Sequence, residues 1–447
     1  MLSARSRRLS RPLAAAAALV VVVSGCSVGS IGGDSNNSGG SAGTTEISFL
    51  YQNDAATQAR GKALIEGFEK ENPNIKITSE TQPGGVDGDN LTKTKLSTGE
   101  MSDVFLYNPG SLFQALNPDT NLQPVTDEAW VKDMSPEMKA VVSTDKGTYG
   151  APIGTTSSGG VLYNRKVYED LGLKVPTSWA EFRANNEKIK TAGKVTPIFQ
   201  SYSSQFTWTA QLFVLGDFAN VAAQDPSFAE NYTAGKAKYV DQPALQGFIN
   251  QQQAHDDGFY NKDYASATFE AAMKAVADGT AAHYPMLTGA LSTIVQNSPD
   301  EINDVGFFAL PAQDAADTRA TIWLPNALYI PKTTEGAKLD AAKKFLAWVN
   351  SPAGCKVQND TGAAAGPYAI STCTLPTDVP QAVKDLDVYL KDGKSGPALE
   401  FISPIKGPNL SQITVEVGSG IKTAQQGAAS YDADVKKQAQ QLGLPGW

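Results

Sequence analysis

Histidine is nearly missing from this 447-residue chain, which holds two, and cysteine is little commoner with three. Neither His255 nor His283 has a cysteine or carboxylate cluster at metal-ligand spacing beside it, so no metal site is expected. There is no Gly-x-Ser-x-Gly elbow on which serine-hydrolase chemistry would depend. Gly154-Thr-Thr-Ser-Ser-Gly-Gly lacks a following Gly-Lys-Ser/Thr, and a strand comes next where a phosphate loop needs a helix. Acid pairs such as Asp256-Asp257 carry no weight as glycosidase carboxylates among 46 acids, because sequence does not measure their separation. No catalytic residue and no cofactor is therefore expected. Positive charge is also short: the formal balance is −9, which makes nucleic acid and anionic lipid poor partners.

Long hydrophobic runs are scarce. Leu13 to Val23 is apolar for eleven residues, too few to span a bilayer, and it follows Arg5, Arg7, Arg8 and Arg11. That is the layout of an export signal, 1–25. Val23-Ser24-Gly25-Cys26 ends it in the form of a lipoprotein box, where the cysteine thiol takes a diacylglyceryl group. Cys26 is thus the expected lipid anchor on the outer face of the cell membrane. Ser27 to Gly43 holds six glycines and five serines among seventeen residues, a composition that stays flexible and makes 26–43 a tether. Cys355 and Cys373 remain as an even pair outside the cytoplasm, and a disulfide is expected there.

Roughly four hundred residues follow the tether, more than one core usually organises, so two lobes are expected. Glu46 to Tyr51 reads as a strand, Ala59 to Lys70 as a helix with Ala63, Leu64 and Phe68 on one face, and Ile75 to Thr78 as a second strand. Asn90 to Gly99 reads as a helix and Asp103 to Tyr107 as a buried strand. This β-α-β repetition implies a mainly parallel sheet with ligand groups at the strand ends. Further helices are expected at 165–171, 178–192, 208–215, 244–256, 269–278, 339–350 and through the tail from Ser411 to Leu442.

Four stretches carry a family resemblance. Tyr149-Gly-Ala-Pro-Ile-Gly precedes Val161-Leu-Tyr-Asn-Arg-Lys-Val-Tyr-Glu-Asp-Leu-Gly-Leu and then Val175-Pro-Thr-Ser-Trp-Ala-Glu-Phe; Phe269 to Leu291, Val305 to Pro311 and Ala341 to Gly354 follow in order. In these the chain resembles the family 1 extracellular solute-binding proteins of ABC importers, the maltose-binding type. The resemblance implies an α/β fold of type II, in which two lobes with hinge crossings close on a sugar. It would place lobe one at 44–152 plus 321–360 and lobe two at 153–320 plus 361–447. The implied protein is a monomer that hands its sugar to membrane permease subunits and catalyses nothing.

A sugar ring has apolar C–H faces and a rim of hydroxyls, so its site needs aromatic platforms and planar polar groups. Position by position, the resemblance makes Tyr284 the aromatic beneath the sugar, where the family usually has tryptophan, with a core tyrosine as the other reading. It puts Gln205 and Trp208 on the cleft from lobe two, with core packing as the other reading of Trp208, and Asn53, Asp54, Tyr107 and Asn108 on it from lobe one. A turn-forming role for the Asn and Asp residues stays open. Trp323, Asn326 and Tyr368 lie by the crossings and complete the candidate ligand set. A surface enzyme acting on glycans, or a receptor for a polyol or glycerophosphodiester, are the alternatives.

Overall fold

The computed structural model describes residues 43–447, so the export signal, Cys26 and most of the tether lie outside the described residues. Two mixed sheets organise the chain. In the first, strand Thr45–Gln52 lies parallel to Ile75–Gln82 on one side and to Val104–Tyr107 on the other. Helix Ala55–Glu71 connects them. Asp54 starts it by accepting from the Thr57 amide at 2.9 Å, and its Leu64 and Phe68 are buried. Gly61 is glycine for a reason of space, since a Cβ there would sit 2.7 Å from the Tyr51 ring. Phe345 of helix Gly336–Val349 meets Phe49 and Phe68 edge to face at 5.4 and 5.2 Å, closing the core of this sheet.

Helix Gly85–Thr98 begins five residues before the expected Asn90. Gly84, Gly85 and Gly88 are poor helix formers and hide that first turn from propensity. Close approach explains one of them: a Cβ on Gly88 would run into the carbonyl of Pro83.

The second sheet is built around strand Ser157–Asn164, which is antiparallel to Ala281–Leu287, Val305–Phe308 and Ala320–Trp323. Parallel pairing survives at its margins, where Thr196–Ile198 joins Ala281–Leu287 and Ser395–Pro397 joins Ala320–Trp323. The sheets are therefore mixed, not mainly parallel, and the crossings are one cause. The chain enters the second sheet after Pro152 and leaves it after Trp323, so the incoming and outgoing strands lie side by side and run in opposite senses. Strands Ala327–Tyr329 and Ala151–Pro152 do the same in the first sheet.

Several expected helices stand with small shifts. Arg165–Leu171 is capped by Asn164 and Trp179–Ala192 by Ser178, each through its side chain. The single helix expected over 208–215 is instead a 3₁₀ turn, Thr207–Gln211, followed by Leu212–Leu215. The tail divides into Leu410–Gly418 and Ala424–Gln441 at Gly420, whose φ of 69° only glycine adopts cheaply. Gln381–Lys391, which packs under the second sheet, was not expected from the sequence.

A third connection between the sheets runs through 361–372. Thr155 bridges to Tyr368, and the Thr156 amide donates to the Pro367 carbonyl at 2.8 Å. Cys355 and Cys373 are bonded, with Cα atoms 5.4 Å apart, which ties that segment to helix Pro352–Thr361. No helix among the described residues is long and apolar enough to cross a membrane.

Candidate functional site

The carboxyl ends of both sheets face one another. Gln52, Gln82 and Tyr107 end strands of the first sheet, and Trp323 and Pro397 end strands of the second. The two sides come close at two places. A Cβ on Gly85 would lie 3.7 Å from the Trp208 ring, and one on Gly110 would lie 2.8 Å from the Phe401 ring. Between these contacts sits a group of charges. Glu400 accepts from Trp323 Nε1 at 2.5 Å and from Lys406 Nζ at 3.0 Å. The side chains of Glu400 and Lys406 are only 13% and 16% exposed.

Asp89, on helix Gly85–Thr98, faces that pair from the first sheet's side. Burial pushes its carboxyl above the usual carboxylate range; Lys406, the Tyr107 hydroxyl and Lys93 pull the other way, and the Glu400 charge adds to the rise. Tyr107 is 3% exposed, and its hydroxyl completes no hydrogen bond among the described residues. Burial first, and the Asp89 charge second, hold that phenol far above its ordinary pKa, so it is a neutral donor and acceptor. Charges of low exposure beside a buried hydroxyl in a cleft make this the candidate place for a polar ligand.

The other candidates fall in several surroundings. Trp208 is half-buried and leans on Phe269 with centroids 5.6 Å apart, leaving an edge toward the Gly85 side of the cleft. Gln205 is exposed just before it. Asn53 is exposed at the end of its strand, where its carbonyl accepts from Gln58 at 2.6 Å, while the Asp54 carboxylate is engaged in capping its helix. Asn108 and Asn326 are half-buried; their carbonyls accept from Tyr329 and from the Ile153 amide. The Tyr368 hydroxyl donates to Asn359 at 2.9 Å beside the third crossing.

Two assignments need correction. Tyr284 is 0% exposed inside the core of the second sheet, and its hydroxyl pairs with Ser201 at 2.6 Å. A ring enclosed on both faces has no surface to offer a sugar, so Tyr284 is the core tyrosine of the two readings. Trp323 is 8% exposed, and a Cβ on Gly159 would lie 2.5 Å from its ring. Its indole face is thus occupied by backbone, and its contribution to the cleft is the N–H given to Glu400.

His283 also belongs to the interior. Its Nε2 meets the Tyr168 hydroxyl at 2.7 Å, and its Nδ1 meets the Pro197 carbonyl at 2.8 Å and Asn186 at 3.0 Å. Burial pushes its pKa down to about 3, so the ring is neutral. Among the described residues no three His, Cys, Asp or Glu side chains gather to hold a metal.

Residues 52–355 match the family model described as bacterial extracellular solute-binding protein. The chain belongs to this family. Among similar sequences, the multiple sugar-binding protein of Streptococcus mutans is 26% identical over 295 residues, covering 65% of this chain and 67% of the relative. The melibiose/raffinose/stachyose-binding protein of Bacillus subtilis is 24% identical over 307 residues, covering 66% and 67% respectively. Among solved structures, a chitin oligosaccharide binding protein superposes with a TM-score of 0.77 at 19% identity, covering 89% of this chain and 99% of that one. The raffinose complex of RafE gives 0.73 at 19% identity, with 89% and 100% covered. These likenesses show the type II fold that the sequence resemblance implied.

In this solute-binding protein the most charged cleft residues, Asp89, Glu400 and Lys406, were not among the sequence candidates, and neither was Arg60. Arg60 is half-buried by the crossings, with Asp54 and Tyr368 acting on it and Gly154 beside its guanidinium. Nothing in their local sequence marks them. Glu400 sits in the 3₁₀ turn Leu399–Phe401 and Lys406 in the loop beyond it, after a three-residue strand, and the pairing of that strand with Ala320–Trp323 carries them to the cleft.

Proposed function

We propose that this solute-binding protein captures a sugar between its two sheets and delivers it to the permease of an ABC importer. The observation that carries the reading is the cleft itself, where a tryptophan edge at Trp208 and the desolvated charges of Asp89, Glu400 and Lys406 meet across the two sets of strand ends. Aromatic surface suits a sugar's C–H face, and planar charged groups suit its hydroxyl rim. Relatives named for multiple sugars and for melibiose, raffinose and stachyose support the class of solute. Trp208, Gln205, Tyr107, Asn108, Asn53 and Asn326 are proposed to line the site; Asp54 and Tyr368 lie at its hinge end.

Each sheet anchors one lobe, with the outgoing crossing between Trp323 and Ala327. Closure of the lobes around sugar selects one conformation, and the permease reads that shape. The protein acts as a monomer held by lipid at Cys26 on the outer face of the membrane, and it releases its ligand unchanged. Calorimetric titration against a panel of mono- and oligosaccharides, with the recovered ligand checked by chromatography, tests this. Saturable binding with intact ligand is expected; turnover at catalytic rates would sink the reading. Cys26→Ala should release the protein into the medium, and retention at the membrane would remove the lipid anchor from the proposal.

A further inference from the structure

We infer that Asp89 and Glu400 grip neighbouring hydroxyls of the bound sugar from opposite sides of the cleft, and that the site therefore takes neutral saccharides and rejects uronic or phosphorylated ones. This rests on the sugar-binding reading above and narrows its substrate class. The chemistry follows from what each group still has to give. Glu400 has one donor on each oxygen, Trp323 on Oε1 and Lys406 on Oε2, both from its own side of the cleft. A carboxylate has about four acceptor positions, so two remain for a ligand. Asp89 supplies further acceptors from the opposite side, and Lys406, paired with Glu400, acts on it only through space. The buried Tyr107 hydroxyl beside it can give or take one more bond.

A ligand group that fits must donate to two carboxylates and still exchange a bond with a phenol. A pair of neighbouring hydroxyls does both, each giving its single proton to one carboxylate and keeping lone pairs for the phenol. A ligand carboxylate or phosphate has no proton to give at neutral pH and would set a further negative charge beside Asp89 and Glu400, where burial already disfavours charge. An ammonium would satisfy the acceptors but would face Lys406 at close range. Trp323 acts here as a positioning residue: wedged over Gly159, it holds the Glu400 carboxylate at a fixed angle.

The test is calorimetric titration of the intact, detergent-solubilised chain with raffinose, stachyose, chitotriose and, as the anionic probe, trigalacturonate. The wild type is expected to bind a neutral probe and not trigalacturonate. Glu400→Gln should weaken that binding roughly 10- to 100-fold, as loss of charge-assisted bonds does, and Trp323→Phe should weaken it less. Monodeoxy analogues of the bound probe separate positioning from general structure. Removing the gripped hydroxyl should cost the wild type affinity, cost Glu400→Gln nothing further, and fall between for Trp323→Phe; equal penalties in all three overturn the inference. If Glu400→Gln does not fold, Asp89→Asn reads the same contact from the other side. Trigalacturonate bound as tightly as the neutral probes, or a folded Glu400→Gln with unchanged affinity, overturns the inference and leaves sugar binding standing. A wild type that binds none of the probes removes the sugar-binding reading itself, and this inference with it.

Discussion

Two buried polar clusters in this molecule are treated in opposite ways. Around His283 every hydrogen-bonding atom of the ring is matched, by Tyr168 on one side and by Pro197 and Asn186 on the other, and the ring is neutral. Around Asp89 the charges are kept, the Tyr107 hydroxyl is left unmatched, and the members come from both sides of the cleft. A satisfied network specifies a packed core and has nothing left to offer. A half-satisfied one costs stability in the free protein and is retained where a ligand completes it. The contrast separates scaffold from candidate site without reference to any relative.

Substitutions can break that contrast at several points. The largest effect is expected at His283→Ala, which opens a cavity and strands three partners: a loss of about 4 kcal/mol by denaturant unfolding. Near-native stability would mean the network is not structural. Removing the Cys355–Cys373 bond with a double serine variant should cost on the order of 3 kcal/mol for a loop of this size, measured the same way.

The pH dependence of stability has two opposed parts. His283 has a folded pKa of about 3, below its unfolded value, so its contribution is present in full above about 6.5 and is lost as pH falls toward 3. Asp217 is held up at about 7 by burial, so the folded state keeps its proton where the unfolded chain has released it; stability is lost as pH rises from about 4 through 7. Asp217→Asn should abolish that second slope in pH-resolved melting, and an unchanged slope would clear Asp217 of it.

Asp89→Asn should sharpen the comparison from the other side. Removing a desolvated charge is expected to leave the melting temperature unchanged or raise it, while sugar affinity drops about 10-fold. A variant that loses stability and keeps affinity would reverse the assignment of scaffold and site. The smallest effect is expected at Tyr284→Phe, which deletes the bond to Ser201: about 1 kcal/mol of stability and no change in affinity. A clear fall in affinity at normal stability would return Tyr284 to the ligand set.

The first half of the chain was more legible than the second, and the reason is locality. Strands Thr45–Gln52, Ile75–Gln82 and Val104–Tyr107 follow one another in sequence and alternate with helices, so hydrophobic period alone outlines them. The second sheet draws its members from 157 to 397, and Ser395–Pro397 has no apolar pattern of its own. The caps are local in the same way, since Ser178 and Asn164 bond amides three residues away. The Tyr284 platform failed because a position carried over by resemblance does not say which face of its strand looks into the core.

The sequence by itself carried the export-signal pattern that ends before Cys26, the even pair of remaining cysteines, the family resemblance, and the alternation of strand and helix in the first sheet, all of which are written in composition or in short-range pattern. Only the tertiary structure decided that Trp208 faces Gly85, that Tyr284 is enclosed, and that Asp89 meets Glu400 and Lys406 across a gap of more than three hundred positions in the chain. Side-chain chemistry is local, but burial and field depend on neighbours that folding alone supplies, and it is those neighbours that set Asp89, Glu400 and Lys406 apart from the exposed charges elsewhere.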